Sequence, residues 1–81
     1  MLYKFTDNDR EIGCVDVNDV GGILLEGNYL ILIIQGIEMQ VIFSTEKAAI
    51  ENYAAISVRM ERQDKMQEFF NNMFLVTGDL Q

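Results

Sequence analysis

Residues 22–43 read GILLEGNYLILIIQGIEMQVIF, an apolar run broken twice by short turn-forming pairs. Glycine at the second position of a two-residue loop accepts the positive φ that a tight hairpin needs. Gln35-Gly36 therefore predicts a hairpin in which partners sum to 71: Ile34 faces Ile37, Leu32 faces Met39 and Leu30 faces Val41. Gly27-Asn28, read the same way, pairs residues summing to 55, so that Leu25 faces Leu30 and Ile23 faces Leu32. Side chains alternate along a strand with period two. Both registers then place Ile23, Leu25, Leu30, Leu32, Ile34, Ile37, Met39, Val41 and Phe43 on one face, and every one is apolar. Two turns read separately agree on one core face, which predicts a three-stranded antiparallel meander.

The opposite face carries Leu24, Glu26, Tyr29, Ile31, Ile33, Gln35, Glu38, Gln40 and Ile42. A solvated sheet face is normally more polar than this. Three readings stay open: β-formers tolerated at the surface, a patch of Leu24, Tyr29, Ile31, Ile33 and Ile42 that meets a partner, or a face covered by the amino-terminal segment. That segment reads as another hairpin, with Leu2 to Phe5 and Ile12 to Val17 flanking Asp7-Asn8-Asp9. It either extends the sheet or folds over its second face.

Ser44-Thr45-Glu46 then opens a helix, with a hydroxyl for the N-cap and a carboxylate near the positive end of the dipole. Ala49, Tyr53, Ile56 and Met60 form an amphipathic stripe that can lie on the apolar sheet face. Five polar residues, Glu61 to Lys65, interrupt it before Met66, Phe69, Phe70, Met73 and Phe74. One helix from Thr45 to Phe74 is about 45 Å long, against about 20 Å for a six-residue strand. Either the polar run is a hinge between two helices, or one helix continues beyond the domain to another molecule. The second option predicts a homodimer or higher oligomer. The fold class expected is α+β: a small antiparallel sheet of four or five strands, then one long helix or two helices packed on one sheet face. Residues 1–81 read as a single domain, with a sheet part over 1–43 and a helical part over 44–76.

The chain has 81 residues, thirteen acids against six bases, one cysteine and no histidine, proline or tryptophan. So short a chain buries only about 60% of its unfolded surface, and self-association would help it. A formal charge of −7 argues against direct contact with nucleic acid, which needs a basic patch, and against an anionic membrane surface. Nothing in it reads as a signal peptide or membrane helix. A single cysteine suits a reducing, cytoplasmic setting, the host cytosol if the chain is phage-encoded.

Chemistry-bearing patterns are few. Asp7, Asp9 and Glu11 alternate as in a calcium loop, but Ile12 stands where that loop needs glycine and Asn18 where it needs an acid. Gly21-Gly22 precedes a strand, so it is no phosphate loop. Cys14 has no basic neighbour in sequence to lower its pKa and reads as a small buried hydrophobe. Asp16 and Asp19 lack a second catalytic partner. No catalytic, cofactor-binding or metal-binding residue is expected, and no cofactor.

Over about residues 3–55 the order of elements resembles that of small FlbD-like proteins of flagellar operons and of many small phage proteins, although Asp19 stands where such proteins often carry the proline of an Asn-Pro pair. The small size, acidity and unassigned apolar surface are similar to phage-encoded inhibitors of defence nucleases, the anti-CRISPR and anti-restriction class. Two functions are expected from this. One is a non-enzymatic, acidic interaction protein of the inhibitor type that binds a basic nucleic-acid-handling protein through Asp16, Asp19, Glu26 and Glu38. The other is a structural or regulatory adaptor acting through Tyr29, Ile31, Ile33, Met66, Phe69, Phe70, Met73 and Phe74, which also form the expected partner or dimer interface.

Overall fold

Left-handed backbone at Asn8 (φ 51°), Asp9 (φ 62°), Gly27 (φ 53°), Gln35 (φ 52°) and Gly36 (φ 79°) turns the chain three times. Between and around these turns the computed structural model, which describes the backbone of residues 1–79 and the side chains of 1–62, sets five strands and one helix. They are β1 (Leu2–Asp7), β2 (Arg10–Asp16), a 3-10 turn (Val17–Asp19), β3 (Val20–Glu26), β4 (Tyr29–Ile34), β5 (Ile37–Ile42) and α1 (Glu46–Asp79). The fold is α+β. The strands form two sheets, β1-β2 and β3-β4-β5, rather than one, and a single 34-residue helix replaces the alternative of two.

Both registers read from the turns hold. Ile23 pairs with Leu32 and Leu25 with Leu30, and Leu32 pairs with Met39 and Leu30 with Val41. A bulge at Gly21, between Val20 and Gly22, shifts the far end of β3. The core gathers Val20, Leu30 and Leu32 from this sheet and Phe43 just beyond it, Tyr3 and Phe5 from β1, Val17 from the 3-10 turn, and Ala49 and Ile56 from the helix. The hairpin thus packs on the inner side of the three-stranded sheet and does not cover its second face. Tyr3 and Phe5 meet edge-to-face with centroids 5.0 Å apart, and Phe5 meets Phe43 at 6.4 Å, a geometry that aligns ring quadrupoles.

Two sequence expectations need correction. Ile37 and Met39 share the inner face by register, yet they are 66% and 50% exposed. The helix lies mainly on β1, β3, β4 and the 3-10 turn, and of β5 only Val41 packs against the core. Cys14 is exposed rather than buried. Gly13 and Val15 face Phe5 and Tyr3, so period-two alternation turns Cys14 outward beside Lys4.

The helix start is built from both ends of the chain's first half. Thr45 Oγ1 accepts from the Ala48 N–H at 3.1 Å, an N-cap bond. The Asp7 carboxylate, at the hairpin tip, accepts from the Ser44 N–H at 2.9 Å and from the Ser44 hydroxyl at 2.7 Å. One turn on, Asn52 is buried at 4% exposure. Its Oδ1 accepts from the Tyr3 hydroxyl at 2.8 Å and the Thr6 N–H at 3.1 Å. Its Nδ2 donates to the Thr6 carbonyl at 2.9 Å and the Ala48 carbonyl at 2.7 Å. All four hydrogen-bonding positions of the carboxamide are used. Arg59 completes the cover, its guanidinium carbon 5.0 Å from the Tyr3 ring centroid and its Nη1 donating to the Ala55 carbonyl at 2.9 Å.

Leu32, at 1% exposure, is the test of the register. Leu32→Ala should cost about 2–5 kcal/mol in a urea titration, as large-to-small core changes do. Tyr3 supplies a second test. Burial pushes its phenol above the ordinary 10.0, and Arg59 pulls it partly back. The raised folded value means that Tyr3 favours the fold while protonated. That contribution is present below pH 10 and is lost as pH rises through the folded value. The urea midpoint should therefore fall above pH 10, and Tyr3→Phe should flatten part of that fall.

Candidate functional site

The outward face of the three-stranded sheet is laid out by the two registers as a grid. Its three rows, running from β3 to β5, are Glu26-Tyr29-Ile42, Leu24-Ile31-Gln40 and Gly22-Ile33-Glu38. With strands about 4.8 Å apart and alternate residues about 6.8 Å apart, the grid measures roughly 10 by 14 Å. Five of its nine side-chain positions are Leu, Ile or Tyr, two are carboxylates, and none is basic.

Leu24 and Ile42 are 53% and 66% exposed, while Tyr29, Ile31 and Ile33 are half-buried by one another and by their strand neighbours. Ile33 lies over Gly22, where an added Cβ would meet its Cδ1 at 3.4 Å. The Tyr29 hydroxyl donates to Glu26 Oε2 at 2.6 Å. That bond, with the Glu26 charge behind it, raises the Tyr29 phenol above its ordinary value. The bond ties two neighbouring side chains at one rim of the grid. Ile31 stands at the centre of the grid between Leu24, Tyr29 and Ile33, with the two carboxylates at opposite corners.

The acids expected to work together are divided by the fold. Glu26 and Glu38 share the outer face at opposite corners, roughly 17 Å apart by strand geometry. Asp16 ends β2 and turns to local work: its Oδ1 accepts from the Asn18 N–H at 3.0 Å and caps the 3-10 turn. That bond, together with the Met1 amino group 3.3 Å away, holds the Asp16 carboxyl below its ordinary value. Asp19 stands exposed in the same turn. The spacing does not imitate duplex DNA, which has one charge per about 1.7 Å of axis.

The apolar residues expected at an interface are divided too. Tyr29, Ile31 and Ile33 come together on the outer face with Leu24 and Ile42. Met66, Phe69, Phe70, Met73 and Phe74 lie outside the residues whose side chains are described. Among the described residues no three of Cys, Asp and Glu converge as metal ligands would, and no helix is long and apolar enough to cross a membrane. A polar cleft of about 280 Å³ lies between the hairpin tip and the first helical turn, bordered by Asn8, Asp9, Lys47 and Glu51.

Sequence reasoning missed Asn52 and the exposure of Ile37 and Met39. Asn52 did carry a signal: it follows Ala49 by three residues and precedes Ile56 by four, a polar side chain inside an apolar helical stripe. The chain matches no protein-family model, no curated protein and no solved structure.

Proposed function

We propose that this is a non-enzymatic protein-binding domain that docks through the outer face of β3, β4 and β5 onto a partner with an apolar patch bordered by lysine or arginine. The observation that carries the reading is the composition of that face: Leu24, Tyr29, Ile31, Ile33 and Ile42 hold five of its nine positions, and Glu26 and Glu38, at opposite corners, are its only charges. Covering a single exposed leucine or isoleucine stabilises a complex by about 1.5–3 kcal/mol when burial is complete. The two carboxylates then select a basic rim and speed encounter. Proteins that handle nucleic acid carry such basic surfaces, so an inhibitor that occupies one is the setting this chemistry fits first. A cytoplasmic location belongs to the same proposal and is supported by the exposed, unpaired Cys14 thiol.

Retention of proteins from a source-cell lysate on the immobilised chain tests this, with two sets of variants as probes. Leu24→Ser with Ile42→Ser should abolish retention by speeding dissociation, since apolar anchors dominate interface energy. Glu26→Lys with Glu38→Lys should slow association and remove its salt dependence between about 0.1 and 1 M. Both pairs are exposed and should leave the circular dichroism unchanged. Retention indifferent to both sets would overturn the proposal.

A further inference from the structure

Edge strands of natural sheets are usually guarded by lysine, proline or a bulge. β5 has none of these. Its register with β4 runs unbroken from Ile42 to Ile37, and its one charge is Glu38. The other edge of the same sheet, β3, is bulged at Gly21. Among the described residues no strand pairs with the outer side of β5, and Ile37, Met39 and Ile42 are the residues that stand out from it, half to two-thirds exposed.

The direction of its backbone groups follows from one bond. The Phe43 N–H donates to the Asn28 carbonyl at 2.8 Å, one step beyond the last paired residues of the β4–β5 ladder. Bonded and non-bonded pairs alternate in an antiparallel ladder. Val41, Met39 and Ile37 therefore turn their N–H and C=O groups toward β4, while Glu38, Gln40 and Ile42 turn theirs to the open edge.

We propose that β5 is the seam of a homodimer, in which two copies pair antiparallel along this edge about a two-fold axis through Met39 and continue the sheet to six strands. Of the two-fold registers that keep inner face with inner face, the three centred on the middle of β5 pair most of the strand, and their side-chain pairings separate them. Centring on Glu38 sets two carboxylates opposite each other, which is repulsive. Centring on Gln40 sets Glu38 against the partner's Ile42. Centring on Met39 sets Glu38 against the partner's Gln40, whose amide N–H groups its carboxylate accepts. It also sets Ile37 against the partner's Val41, and Met39 against the partner's Met39. Polar meets polar and apolar meets apolar at all five positions from Ile37 to Val41, and Ile42 falls opposite the partner's Gly36. Glu38 and Gln40 exchange both N–H···O bonds with the partner's Gln40 and Glu38, so the outward backbone groups of these residues find partners. A second copy is the occupant because the strand is complementary to itself in this register, an isologous contact.

Sedimentation equilibrium of the full chain between micromolar and roughly 200 μM concentration tests it. The mass should rise from 9.3 kDa toward twice that value. Because each copy carries −7, the dimer should tighten as salt screens repulsion, opposite in sign to the outer-face docking proposed above, so the two readings fail separately. Met39→Lys should raise the dimer dissociation constant at least about tenfold, a change of about 1.4 kcal/mol, with unchanged circular dichroism because Met39 is half-exposed. In a Cys14→Ser background, Met39→Cys should cross-link the dimer by air oxidation. A non-bonded pair on the axis has its Cα atoms about 4.5 Å apart, within disulfide reach. Gln40→Cys should not cross-link. A chain that stays monomeric overturns the proposal. So does a dimer that Met39→Lys leaves intact, or one that cross-links through Gln40→Cys in preference to Met39→Cys.

Discussion

The carboxamide of Asn52 is the contact on which the rest of the structure depends. It pairs with both backbone groups of Thr6 much as a neighbouring strand would, so a helical side chain occupies the edge of β1. It also receives the Tyr3 hydroxyl, and its remaining proton returns to the Ala48 carbonyl of its own helix. A buried polar group is costly unless fully paired, and fully paired it fixes one arrangement among many. In a chain with so thin a core, that fixing sets where α1 sits. The Asp7–Ser44 bonds act in the same direction, tying the hairpin tip to the helix start.

The seat of the helix decides what is left uncovered. A helix is about 10–12 Å across, whereas the three-stranded sheet and the hairpin beside it are wider together. Held against β1 by Asn52, the helix packs chiefly on β3 and β4, and of β5 only Val41 reaches the core. Ile37 and Met39 stay in water for that reason, although they lie on the same face as Leu30 and Leu32. The outer face is uncovered for a different one: the hairpin folds to the inner side, where Tyr3 and Phe5 are needed beneath the helix. Two apolar surfaces of different character result, a sheet face with carboxylates at two corners and an unguarded edge.

The meander was legible in the sequence because its information is local. Gly36 and Gly27 mark the turns, period-two alternation does the rest, and the registers followed to the residue. The helix start at Ser44-Thr45 was legible on the same grounds. What was illegible depended on contacts across more than forty residues. Nothing near Asn52 in the chain announces Tyr3 or Thr6 as its partners, and a polar residue in a helix reads first as solvated. The division of the strands into two sheets, and with it the outward turn of Cys14, follows from how the hairpin docks. The exposure of Met39 follows from where one helix can reach. The candidate site was legible in composition, since its apolar residues were read onto one face, but the dispersal of Asp16 and Asp19 away from Glu26 and Glu38 required the third dimension.

The free energy of unfolding of Asn52→Ala, by urea titration at neutral pH, tests the central claim most directly. Truncation leaves the Thr6 N–H and the Thr6 carbonyl without their side-chain partner, and the Tyr3 hydroxyl with only the Asn52 main-chain carbonyl 3.5 Å away, at about 1–3 kcal/mol for each group that stays unsatisfied. The account predicts a loss of at least about 2 kcal/mol, a large fraction of what a domain this small possesses. A loss under about 0.5 kcal/mol, the range of an ordinary surface substitution, would contradict it.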